Sequence, residues 1–140
     1  MPSAPRPLEG GPTVESDGFR AVPRPSAVPQ ARRLARARLP EWGLADLTDD
    51  CALVLSEFVT NALLHAAPEP ASPLRVELRL TSTHLLAEVH DPSPAPPARR
   101  TPAADDEGGR GLELVDHIAH DWDWYTTPTG KCVWAAWPLP

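Results

Sequence analysis

The chain has 140 residues, enough for one domain of ordinary size, and a 41% hydrophobic content that supports a real core. Its net charge of −6 is uneven: residues 1–40 hold seven Arg against three acids, while residues 41–140 carry a net −10. So acidic a body repels a phosphate backbone, which excludes it as a direct nucleic-acid binder, and no run of about 18 apolar residues is present to span a membrane.

The opening "MPSAPRPLEGGPTVESDG" has no apolar run of the signal-peptide kind, so a soluble, cytoplasmic protein is expected. Cys51 and Cys132 are far apart and lack metal-ligand spacing. They read as two buried free thiols in a reducing compartment rather than as a pair. Eight of the 19 Pro lie in the first 40 positions and five more in 92–102, marking two extended or flexible segments.

In chain order, residues 1–18 are expected to be disordered, and "FRAV" (19–22) to form a short edge strand. "SAVPQARRLARARLPEWG" sets Val28, Ala31, Leu34, Ala35 and Leu39 near one face, with the arginines mostly elsewhere. This predicts an amphipathic helix ending near Pro40 and Gly43, its Arg-rich side a solvated face rather than an acidic-partner or nucleic-acid contact. Thr48, Asp49 and Asp50 offer capping and dipole-compensating groups for a second helix to about Ala66.

"LRVELRL" alternates as a half-buried strand, and "HLLAEVHDP" follows the polar "TST" as its hairpin partner. By parity Leu85, Ala87, Val89 and Asp91 share one face of that second strand. "PSPAPPARRTPAADDEGG" is too rich in Pro and small or acidic residues to pack and has the character of a lid. "GRGLELVDHIAHDW" predicts a third helix, and "DWYTTPTGKCVWAAWP" a closing hairpin that turns at Pro128-Thr129-Gly130. The order β-α-α-β-β-loop-α-β-β, with every element burying one face, predicts a two-layer α/β sandwich.

Several polar positions stand out against that frame. Glu57, Asn61 and His65 recur every four residues along the second helix. An Asn there is either a hydrogen-bonded core residue or an oxygen ligand for magnesium, and the Glu is either solvated or a proton acceptor. "GGRG" (108–111) is either a flexible loop or a set of backbone amides that approach an anion at a helix start. His65 fits a helix terminus better than a site edge, and His117 with His120 lack the further ligands a metal needs. The aromatic cluster on the closing hairpin reads as core and sheet cover, with a docking surface as the other use.

Taken together, these motifs resemble the histidine-kinase-like (GHKL) ATPase domain of gyrase, sensor histidine kinases and heat-shock chaperones, and within it the anti-sigma-factor serine kinase branch. The resemblance covers about residues 19–138 and implies a Bergerat-type ATP-binding fold, with a mixed, mostly antiparallel sheet covered on one face by about three helices and a Pro-rich lid at 92–107. "SEFVTNALLHA" looks like the N box, which implies Glu57 as general base and Asn61 as the Mg²⁺ ligand. "HDPSPA" resembles the first glycine box, implying that Asp91 accepts a hydrogen bond from the adenine amino group, although Ser93 and Ala95 stand at the usual glycine places. "GGRGLELV" resembles the second glycine box, implying Gly109 and Gly111 around the phosphates; Arg110 between them is either a phosphate contact or a solvent-facing loop residue, with Arg99 and Arg100 as weaker candidates in the lid. "TPTGKCVWAAW" resembles the strand behind the adenine, with Cys132 where a Thr hydroxyl is usual.

The resemblance implies ATP and Mg²⁺ as cofactors, and a sigma factor with an anti-sigma-factor antagonist as protein partners; it leaves homodimerisation open. Two functions follow from it. One is a serine kinase that transfers the ATP γ-phosphate to the antagonist and binds the sigma factor. The other is a non-catalytic nucleotide-binding interaction module.

Overall fold

The computed structural model describes residues 12–64, 72–97 and 111–140. The chain runs β1 (Thr13–Ala21), α1 (Ala27–Glu41), a 3-10 turn at Ala45–Leu47, α2 (Thr48–Leu64), β2 (Leu74–Thr81), β3 (His84–Asp91), α3 (Gly111–Ile118), β4 (Asp121–Thr127) and β5 (Gly130–Pro138). The strands form one sheet in the order β1-β2-β3-β5-β4. Among the described residues every neighbouring pair of strands is antiparallel, with no parallel pairing of the kind a mixed sheet has.

Strand alternation divides the sheet into two faces. Leu74, Val76 and Leu78 of β2, Leu85, Ala87 and Val89 of β3, and Val133, Ala135 and Trp137 of β5 join the main core with the helices. Trp122 and Trp124 of β4 pack on that core from the edge. The opposite face carries a smaller cluster built from strands alone: Leu86, Cys132, Trp134 and Ala136, with Tyr125 against them. The closing aromatics are therefore split between the faces, as core and as sheet cover.

β1 starts at Thr13, so residues 13–18 are strand rather than disordered. Side-chain polarity hid this. The ladder to β2, from Thr13 opposite Thr81 to Ala21 opposite Leu74, depends on backbone groups, and an edge strand tolerates exposed Glu15 and Ser16. Only Phe19 and Ala21 of β1 reach the core, and these are the residues whose apolar character the sequence displays.

α1 buries Ala27, Ala31, Ala35 and Leu39, four positions at one-turn intervals. The small side chains bring it close to α2, where Arg32 Nη1 donates to Ser56 Oγ at 3.3 Å. Arg38 reaches back to β1 and pairs with Asp17 at 2.6 Å. Pro40 lies in the last turn, and Gly43 then takes a left-handed conformation (φ 78°) while the Leu44 N–H donates to Leu39 O at 2.8 Å.

α2 begins directly from the 3-10 turn. Thr48 already has helical dihedrals, so its hydroxyl cannot take the capping position expected for it, and among the described residues its buried Oγ1 has no hydrogen-bond partner. Asp49 and Asp50 do occupy the first turn, where they complement the helix dipole. Cys51, Val54, Leu55, Phe58, Val59 and Ala62 fill the core beneath, and α2 packs over the central strand β3 with α1 and α3 beside it. Among the described residues no helix is long and apolar enough to cross a membrane.

The β4–β5 turn is fixed by Gly130, which faces the end of β3. A Cβ there would lie 2.0 Å from the Asp91 carbonyl oxygen and 2.6 Å from the Pro92 carbonyl carbon, both backbone atoms. Gly130→Ala is therefore expected to destabilise the fold by about 1–3 kcal/mol or more. Urea unfolding should show this as a lower midpoint with unchanged slope.

Candidate functional site

β3 delivers Asp91 to the end of the sheet on the helix-facing side, as its parity requires. Its cross-strand neighbour is Lys131 of β5. The two side chains are 2% and 1% exposed, and Lys131 Nζ donates to Asp91 Oδ2 at 2.9 Å. The same ammonium donates to Ser93 O at 3.1 Å. Asp91 Oδ1 accepts from the Ser93 N–H at 2.8 Å, and Ser93 Oγ accepts from the Ala95 N–H at 3.2 Å.

These contacts explain how "DPSPA" makes its turn without glycine. Pro92 and Pro94 have no N–H to satisfy. The two remaining donors, Ser93 and Ala95, are each taken by a side-chain oxygen two residues earlier. Ser93 thus spends its hydroxyl on the local turn.

Cys132 lies on the other face of the sheet from Asp91, away from the adenine-contacting place that the resemblance implies for it. Adjacent residues of a strand point to opposite sides, and the pairing of Asp91 with Lys131 sends Cys132 to the strand-only cluster. There its sulfur sits 3.8 Å from His90 Nε2. Burial, and then the Glu88 carboxylate, push its thiol up to about 12. The residue that faces Asp91 is Lys131, which the sequence reading missed. β5 is apolar on both faces, so "KCVWAAW" shows no alternation from which its parity could be read.

Asn61 is buried in the last turn of α2, and Glu57 is half-buried one turn earlier on the same stripe. α2 covers the face of the sheet to which Asp91 belongs. α3 ends at the other end of the sheet from Asp91: its Ile118 carbonyl accepts from Trp137 Nε1 at 3.3 Å, and Trp137 pairs with Leu85 at the far end of β3. Gly109 and Arg110 lie outside the described residues, as do His65, Arg99, Arg100 and most of the expected lid.

A cavity of about 390 Å³ opens at the same end of the sheet, with Asp91 and Lys131 in its wall and Arg20, Arg75 and His90 at its rim. Glu57 and Asn61 are not among its lining residues. The structure thus joins Asp91 to a basic opening and to Lys131, and sets Glu57 with Asn61 on the helix above the strand.

A buried ion pair is costly to break from one side, because the survivor keeps its desolvation penalty without its partner. Lys131→Met should destabilise the protein by about 3–5 kcal/mol. Lys131→Met combined with Asp91→Leu should recover much of that loss, since both charges are then gone. A double-mutant cycle by urea denaturation checks this, and simple additivity of the two single changes would count against the pair.

The sequence profile described as "Histidine kinase-like ATPase domain" matches residues 21–137. Among solved structures, the RsbU and RsbW domains of Rv1364c from Mycobacterium tuberculosis superpose with a TM-score of 0.68 at 18% identity. That likeness is one of fold; it covers 91% of this chain and 34% of the other, so the chain spans about a third of its neighbour's length. Comparison with curated proteins gives no match. The profile runs from the last residue of β1 to the penultimate residue of β5 and takes in α2, Asp91 and Lys131, and on that match the chain belongs to the histidine kinase-like ATPase family.

Proposed function

We propose that the chain is an ATP- and Mg²⁺-binding regulatory protein of the anti-sigma-factor serine kinase type, which transfers the γ-phosphate to a serine of an anti-sigma-factor antagonist and binds a sigma factor. The observation that carries this reading is the stripe on α2. Asn61, buried at 7% exposure, and Glu57 lie one turn apart over the strand that ends in Asp91, within a chain of this family. The structural neighbour that carries an RsbW domain is in keeping with it.

The residues present fit the group. Mg²⁺ bound with a nucleotide keeps several waters and phosphate oxygens and needs few protein ligands, so the single amide oxygen of Asn61 suffices. A carboxylate has about four lone-pair sites. Asp91 uses two of these for Lys131 and Ser93, which leaves acceptor capacity for an adenine amino group. The amides of Gly109 and Gly111 and the guanidinium of Arg110 are assigned to the phosphates. ATP with Mg²⁺ supplies the transferable phosphoryl group and part of its charge neutralisation. Glu57 takes the proton from the attacking serine hydroxyl, and the rest of the catalysis is positioning. The partners are proteins, and association of two copies of the chain is compatible with this role.

A second reading, a non-catalytic nucleotide-binding interaction module, is favoured by one observation. Both Asp91 oxygens are already engaged, one of them by a buried ammonium. Labelled ATP separates the two readings. Asn61→Ala should lose Mg²⁺-dependent ATP binding by at least about tenfold, the loss of a metal contact. Glu57→Gln should keep binding and lose phosphoryl transfer by about 10²–10⁴-fold. Unchanged ATP affinity in Asn61→Ala would remove the site assignment, and ATP binding without phosphorylation of any antagonist would leave only the interaction module.

A further inference from the structure

The strand-only face of the sheet carries three metal-ligating side chains to which the proposed phosphoryl transfer assigns no role. Glu88 and His90 lie two apart on β3 and so point to the same side, and Cys132 is the direct cross-strand neighbour of His90 on β5. Their donor atoms converge: His90 Nε2 lies 3.3 Å from Glu88 Oε1 and 3.8 Å from Cys132 Sγ, and all three atoms fall within 4.8 Å of one another. With ordinary Zn–N, Zn–O and Zn–S bond lengths, tetrahedral geometry sets N···O and N···S separations of about 3.4 and 3.6 Å. The observed separations bracket those values.

The contacts around His90 Nε2 conflict with one another. Arg75 Nη2 lies 3.3 Å from this nitrogen, and Glu88 Oε1 lies at the same distance. A guanidinium only donates, and an ionised carboxylate only accepts. One ring nitrogen cannot satisfy both: protonated it repels Arg75, and unprotonated it repels Glu88. A cation at the point of convergence removes the conflict, because imidazole, carboxylate and thiolate then all direct lone pairs at it. Arg75 has an alternative partner in place, since its Nη1 already donates to Glu77 at 2.8 Å. The outer groups also suit a metal. Arg79 Nε holds Glu88 Oε2 at 3.0 Å and leaves Oε1 to face the centre, and Tyr125 packs against the cluster that contains the sulfur.

We propose that Glu88, His90 and Cys132 form a binding site for a divalent ion of the zinc class, on the face of the sheet opposite the helices. One imidazole, one carboxylate and one thiolate are a zinc donor set, and three protein ligands leave a fourth position for water or an incoming ligand. The ion displaces the thiol proton and ties the middle strand to its neighbour.

Co²⁺ titration of the untagged, reduced full chain tests this, with Zn²⁺ as competitor. The expected result is one Co²⁺ per chain, with a thiolate-to-cobalt charge-transfer band and tetrahedral d–d bands that Zn²⁺ abolishes. Cys132→Ser should remove the charge-transfer band. His90→Gln changes a partly exposed side chain and so keeps the test open if the cysteine variant does not fold; it should weaken Co²⁺ binding about 10–100-fold. Absence of the band in the wild-type chain, its survival in Cys132→Ser, or unchanged affinity in His90→Gln would overturn the proposal.

Discussion

The pairing of β3 with β5 decides what each polar group in the middle of the sheet can do. The register runs without a break from His84 opposite Pro138 to Asp91 opposite Lys131. It places Asp91 and Lys131 together on the helix side, and Glu88, His90 and Cys132 together on the other. A slip of β5 by one residue would exchange its faces, bury the wrong set in the helix layer and leave Asp91 without Lys131. Register is specified strongly here because the helix side is a dry core of Val89, Ala87, Leu85, Val133, Ala135 and Trp137. Packing of apolar side chains on one face therefore positions charged ones on both.

The helix layer depends on the same pairing. α2 fits over β3 because its lower surface is made of Val54, Leu55, Phe58 and Val59, while α1 meets it through alanines that permit close approach. Phe58 also meets Trp122 of β4 with ring centroids 6.1 Å apart, which ties the central helix to the far edge of the sheet. A polar stripe on so apolar a helix has to be accommodated, and of its described members Asn61 is buried and Glu57 half-buried.

Where a segment presented one apolar face and one polar face, its sequence was enough to assign it. "LRVELRL", the α1 stripe and the odd-numbered residues of β3 are examples, and through them the order of elements and the inward direction of Asp91 were legible. Three features were not. β1 holds its place by backbone pairing with polar side chains, so no hydrophobic pattern announces its first six residues. β5 is apolar on both faces, which conceals whether Lys131 or Cys132 faces Asp91. The convergence at His90 joins residues more than 40 positions apart, and only the register brings them together. The nucleotide-site residues were chosen by motif; of these, Asp91 rests at a cavity and Asn61 is buried, while Cys132 belongs to the other face.

On the proposed reading, the Lys131–Asp91 pair sets the terms on which a base is recognised. Adenine could expel the ammonium from Asp91 or share the carboxylate with it. Expulsion leaves a buried Lys without its partner at a cost of about 3–5 kcal/mol, equivalent to roughly two to three and a half decades in affinity. A hydrogen bond to a charged group returns about 1.5–3 kcal/mol, which does not cover that cost. Sharing costs less, because a carboxylate oxygen that accepts from Lys131 retains a lone pair. The base then meets a carboxylate whose charge is largely neutralised by Lys131, so its hydrogen bond is closer to a neutral one, at about 1 kcal/mol. Base recognition contributes modestly in such a site, and most of the affinity must come from Mg²⁺ and the phosphates. That shifts the weight of the nucleotide site from the sheet end to Asn61 and the segment that leads into α3.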